Sequence, residues 1–167
     1  MYESAEPTMK TLTFGFQELL SRVHALPGAM DRAKSGWLKD SALIVEKAAK
    51  ENIVCGRDEW PPLAASTVAA RRARKSYSKK ALLESIKPLY ETGRMMRSIT
   101  HEVEDEAAYI GWTVPYGSVH EFGTTSAGPT RSTTIPARPH MVPAAEENLD
   151  RMRSALVKRI KSETRLT

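Results

Sequence analysis

The residues best suited to chemistry in this 167-residue chain are four histidines, His24, His101, His120 and His140, set among acids. A metal site built on a helix needs two imidazoles one turn apart with a carboxylate between, as in HExxH. His120-Glu121 is only half of that pattern, so His120 is expected to pack or hydrogen-bond and no metal ligand is assigned. Serines are plentiful, but there is no GxSxG elbow, and no SxxK is followed by the other lactamase-type boxes. The glycine-containing loop after Phe122 lacks the GK[ST] that a phosphate cradle requires. Cys55 has no nearby histidine to complete a nucleophile pair and reads as a small buried hydrophobe at a helix end. The residues thus give no catalytic set and imply no cofactor, which disfavours an enzyme. A hydrolase drawing on His101, His120 and His140 is the third reading.

Charge is the second resource. The net +5 is unevenly spread. Bases dominate from Arg57 to Arg97, acids from Glu102 to Asp150, and bases again in the last helix. A polarised subunit of this kind can join copies of itself, basic face to acidic face, or bring the blocks together within one chain. The run Arg71, Arg72, Arg74, Lys75, Lys79 and Lys80 could neutralise phosphates, making a DNA-binding protein the alternative reading. Without aromatic interleaving or a recognition motif, a partner-facing helix surface is favoured.

The elements that must position these groups follow from periodicity. Length and composition, with 41% hydrophobic and 27% charged residues, suit one folded domain. A single cysteine excludes an intrachain disulfide, and no apolar run approaches the length that spans a bilayer. The start MYESAEPT has no apolar signal region, so a protein made and kept in a cytoplasm is expected. Leu12, Phe14 and Phe16 alternate as a strand, leading into a helix that Pro27-Gly28 ends. Met30, Ala33, Trp37, Ser41, Ile44 and Ala48 mark an amphipathic helix closing at Gly56. Ser66 and Thr92 read as helix caps, and a short helix through Leu82, Leu83 and Ile86 stops at Pro88. Residues 98–113 form an antiparallel hairpin around a charged turn at Glu104–Glu106. YGSVHEFG is a short helix or turn, residues 124–134 an exposed loop, and IPARPHMVP an extended edge strand, with Pro136, Pro139 and Pro143 excluding a helix. A long helix fills 143–163. The fold class is α+β, a small antiparallel sheet packed against long helices. Its parts are 1–56, a basic segment 57–97, the β-region 98–142 and the final helix.

The order WPPLAASTVAARR, LYETGRMMRSI, AYIGWTVPYGSVHEFG and IPARPHM before a terminal helix resembles the phage virion-morphogenesis family, over roughly Trp60 to Ala145. That family groups Mu-like tail-completion and neck proteins with related connectors. His140 stands where family members often carry an apolar aromatic. The resemblance implies a homo-oligomeric ring, sixfold, at the head-proximal end of the tail, and makes the cytoplasm of its assembly that of a host bacterium. The ring would touch the tail tube and neck proteins, with passive contact to DNA in its lumen. Candidate subunit contacts are Arg71, Arg72, Arg74, Trp112, His120, Glu121, Phe122, Arg131 and Arg138, with Trp112 and Phe122 as apolar anchors.

Overall fold

A computed structural model of the chain describes residues 9–73 and 87–164, with the side chains of residues 9–19 and 22 left out. Helix α1, Met9–Cys55, is one element of 47 residues, about 70 Å long. The strand expected at Leu12–Phe16 and the stop at Pro27-Gly28 are both replaced by helix. Leu12, Phe16, Leu20 and Val23 also satisfy helical spacing, and that longer period wins. Pro27 has no N–H for the Val23 carbonyl, a local loss that the turns on either side bridge.

The buried face of α1 is Ala29, Ala33, Leu38, Ala42, Val45, Ala49 and Ile53. It is turned slightly from the expected stripe: Ala33 and Ser41 are buried, Trp37, Ile44 and Ala48 half-buried, and Met30 exposed. Alanines permit the closest approach of neighbours, while Trp37 stands at the edge and donates from Nε1 to the Met152 carbonyl, 2.8 Å away. Gly56, at φ +77°, closes the helix in the left-handed conformation that glycine tolerates. Cys55 is exposed, not buried, because it lies two residues past Ile53 and so on the opposite side of the helix.

Helix α2 spans Ala65–Ala73, so Ser66 lies inside the helix instead of capping it. The expected helix at Leu82–Ile86 lies outside the described residues, as does Arg74. Helix α3, Arg94–Ser98, has Gly93 as its N-cap, with no side-chain bond from that residue. Thr92, one position further out, takes the Arg94 N–H at 3.3 Å. Strands β1, Ile99–Val103, and β2, Ala108–Trp112, form the expected antiparallel hairpin, with Ile99 opposite Trp112 and Val103 opposite Ala108. This hairpin packs on α1. There His101 contacts Glu46, which also takes Lys50. Burial would raise the Glu46 carboxyl, but its bonds to Lys50 and His101 hold it below its ordinary value.

Helix α4, Gly117–Phe122, ends at Gly123 as the sequence indicates. The segment expected as a loop is a second antiparallel hairpin, β3 (Thr124–Ala127) with β4 (Thr133–Ile135). Its β-branched threonines flank a turn in which the Arg131 N–H reaches the Gly128 carbonyl, 3.1 Å. The expected edge strand through Pro143 is also corrected: β4 stops at Ile135, residues 136–140 are irregular, and helix α5 runs Met141–Glu146. Pro143 lies in the first turn of α5, where a missing N–H costs nothing.

The terminal helix is therefore two. Asn148, buried between them, spends its amide on the Ala144 carbonyl and diverts the backbone before α6, Leu149–Thr164. α6 runs back along α1, so that Arg159 meets Asp40 and Glu163 meets Arg32. The core gathers Val45, Ala49 and Ile53 of α1 with Trp60, Leu89, Met95, Ile99 and Ala144. The fold is α+β.

Candidate functional site

The strap 136–142 is fixed by hydrogen bonds from four parts of the chain. Glu121, only 2% exposed at the end of α4, aims its carboxylate at the start of α5. It accepts the backbone N–H groups of His140 (2.8 Å), Met141 (3.0 Å) and Val142 (2.9 Å). His140 is fully buried, with Nδ1 2.9 Å from Glu121 Oε2. The Trp112 indole donates to His140 Nε2 at 2.8 Å. An indole N–H can only donate, so Nε2 accepts and the ring proton sits on Nδ1, which donates to the Arg138 carbonyl at 3.2 Å. Burial would raise the Glu121 carboxyl, but the His140 side chain and the three backbone N–H groups outweigh it and hold it at about 2.

Other contacts complete the knot. Trp60 Nε1 donates to the Pro139 carbonyl (3.0 Å), and Asn52 Nδ2 to that of His140 (3.0 Å). Arg138, 4% exposed, donates from Nε to Pro61 O and from Nη2 to Pro62 O, both at 2.9 Å. Burial, followed by the charge of Arg71, lowers its pKa. Gly117 is obligatory beneath Trp112, since a Cβ there would lie 2.4 Å from the indole Cγ. No local motif marks Trp60 or Asn52 as an anchor. The available signal was Asn52 at the helix end and an aromatic fixed by the prolines that follow it.

The candidate contact residues divide sharply. Arg71 is buried and donates to the carbonyls of Lys87 (2.8 Å) and Pro88 (3.3 Å), with Glu91 3.3 Å from its Nε. Arg71, Glu121 and Arg138 are thus spent on the chain's own fold, as is the half-buried Trp112. His120 is half-buried and edge-on to Tyr116. Burial first, then Arg138, His140 and Arg71, lowers its pKa and favours the neutral ring. Phe122 is 71% exposed, and Arg72 and Arg131 are exposed as well. Within the described part of the basic run, Ala65–Ala73, Arg72 alone presents its charge outward.

Among the described residues, no group of three or more His, Cys, Asp or Glu is placed to hold a metal ion. His101 pairs with Glu46 on α1, whereas His140 pairs with Glu121. No described helix is long and apolar enough to cross a membrane. The arrangement ties α4 to residues 136–140 and to the start of α5, and leaves Phe122 exposed beside the β3–β4 hairpin.

Mu-like prophage FluMu G protein 2 of Haemophilus influenzae is 29% identical over 135 residues, covering 80% of this chain and 83% of that protein. No solved structure matches. The family model described as the phage virion morphogenesis family matches residues 48–161, from the last turns of α1 into α6, and so takes in the whole knot of Asn52, Trp60, Trp112, Glu121, Arg138 and His140. On that match, the chain belongs to the phage virion morphogenesis family.

Proposed function

We propose that the protein is a structural subunit, not an enzyme, that forms a homo-oligomeric ring closing the head-proximal end of a phage tail. The observation that carries this reading is the β3–β4 hairpin. Among the described residues its strands pair only with each other, and every residue in them is exposed or half-buried. A two-stranded hairpin is at best marginal in water, and both of its edges are open to another strand. Addition to a neighbouring subunit satisfies those edges, and Phe122 at its base supplies an apolar anchor. The exposed acids Glu102, Glu104 and Asp105 face a neighbour's basic surface, to which Arg72 contributes.

The work of such a ring is geometric. Six copies present one face to the tail tube and the other to the neck, and DNA passes through the lumen without specific recognition. The name of the Haemophilus relative, a Mu-like prophage protein, supports a phage origin. The duplex-binding alternative is weakened by Arg71, whose guanidinium is committed internally.

The test is deletion of residues 124–135. The ideal Cβ position of Gly123 lies 2.8 Å from the Ala137 nitrogen, so the cut ends are adjacent and a short linker joins them. The shortened subunit is expected to keep its melting temperature but to yield no rings by electron microscopy and no completed tails. Normal rings and infectious particles from the deletion variant overturn the reading.

A further inference from the structure

The amino-terminal half of α1 carries an apolar stripe that is exposed among the described residues. Leu20, Val23, Leu26 and Met30 are 39, 48, 39 and 44% exposed. Val23, Leu26, Met30, Ala33 and Trp37 succeed one another at alternating intervals of three and four. The sequence continues the same alternation backwards through Leu19, Phe16, Leu12 and Met9. An average of 3.5 residues keeps a seam facing a second helix wound around the first. Pro27 and Gly28 fall outside these positions.

The seam changes partner along its length. Ala29 and Ala33 are buried and Trp37 reaches α6, and the Arg32–Glu163 pair sets the described end of α6 beside α1 there. From Asp31 back to Met9 the helix continues for about 35 Å. A lone helix containing Gly15, Pro27 and Gly28 is poorly stable in water, so this length needs cover.

Charge indicates the cover. Residues 9–31 hold Lys10 and Arg22 against Glu18 and Asp31, two bases and two acids, on a chain whose net charge is +5. A neutral helix selects neither an acidic nor a basic partner and does not repel its own copy. The same helix in a second subunit supplies a matching repeat. We propose that Met9–Met30 is a coiled-coil seam through which α1 helices of two copies of this chain associate. The seam lies before residue 48, where the family match begins. It shares with the ring reading only the premise that copies meet, and uses a different surface.

Sedimentation equilibrium of the full chain tests it. Wild type is expected to self-associate, and Val23→Glu/Met30→Glu to weaken that association roughly a hundredfold or more. Ser35→Glu, exposed and off the seam, serves as the control and should associate as wild type does. The hairpin-deleted chain should still pair through α1. Because Val23 and Met30 are exposed, circular dichroism melting is expected to show the body of the double variant intact. A wild-type chain that stays monomeric at all concentrations overturns the seam, as does a double variant that associates as tightly as wild type. Association lost on hairpin deletion but kept in Val23→Glu/Met30→Glu overturns the seam while leaving the ring reading in place.

Discussion

Replacing Glu121 by glutamine keeps the shape of the side chain and removes the charge that three backbone N–H groups and His140 converge on. The amide oxygen can keep some of those bonds, but its NH2 turns a donor toward donors. Holding the carboxyl at about 2 rather than its ordinary 4.5 is worth about 3 kcal/mol of folding free energy at neutral pH. With a side chain 1% exposed, solvent screening does little to reduce that figure. Because the folded value is depressed, the stabilisation is present in full above 4.5 and is lost as pH falls toward about 2. The assay is thermal unfolding of wild type and Glu121→Gln from pH 7 down to pH 2.5, followed by circular dichroism. At pH 7 the variant is expected to melt roughly 6 to 12 °C lower. The gap should narrow progressively below pH 4.5. A gap under about 2 °C at neutral pH, or one that persists unchanged into acid, refutes the capping role.

Three further outcomes follow from the same knot. Trp112→Phe and His140→Phe should each cost about 1 to 3 kcal/mol in urea unfolding, since each strands a buried polar partner. The double variant should cost less than their sum, and strict additivity would disprove the Trp112–His140 bond. Arg138→Ala is expected to lose about 3 kcal/mol with its two carbonyl contacts, whereas exposed Arg72→Ala should stay within about 0.5 kcal/mol; equal effects would contradict the burial difference. Gly117→Ala should destabilise by about 1 to 3 kcal/mol through collision with Trp112, measured in the same unfolding series.

Local signals were legible where only one period fits. Ile99, His101 and Val103 alternate up to a charged turn, and the β1–β2 hairpin follows. Gly123 ends α4 because its φ of +73° suits glycine. Leu12, Phe14 and Phe16 misled because three alternating residues also contain a helical pair, and only the length of α1 decides between them. Pro27 and Pro143 read as breakers, yet one is absorbed inside a long helix and the other sits where its N–H is not needed. The threonines around Gly128 carried a hairpin signal that glycine and proline masked.

The site was harder to read. Glu121 beside His120 suggested half a metal motif, but the carboxylate serves backbone groups nineteen to twenty-one residues later. Arg71 and Arg138 looked like surface charge because nothing local reveals the carbonyls waiting for them. Phe122, an aromatic directly before a glycine turn, is highly exposed.

Cryo-electron microscopy of the tail-to-head junction in assembled phage particles carrying this chain tests the central claim most directly. The expected result is a ring of copies in which each β3–β4 hairpin and Phe122 lie against the next subunit. A junction without the chain, or a ring whose hairpins all face solvent, contradicts it.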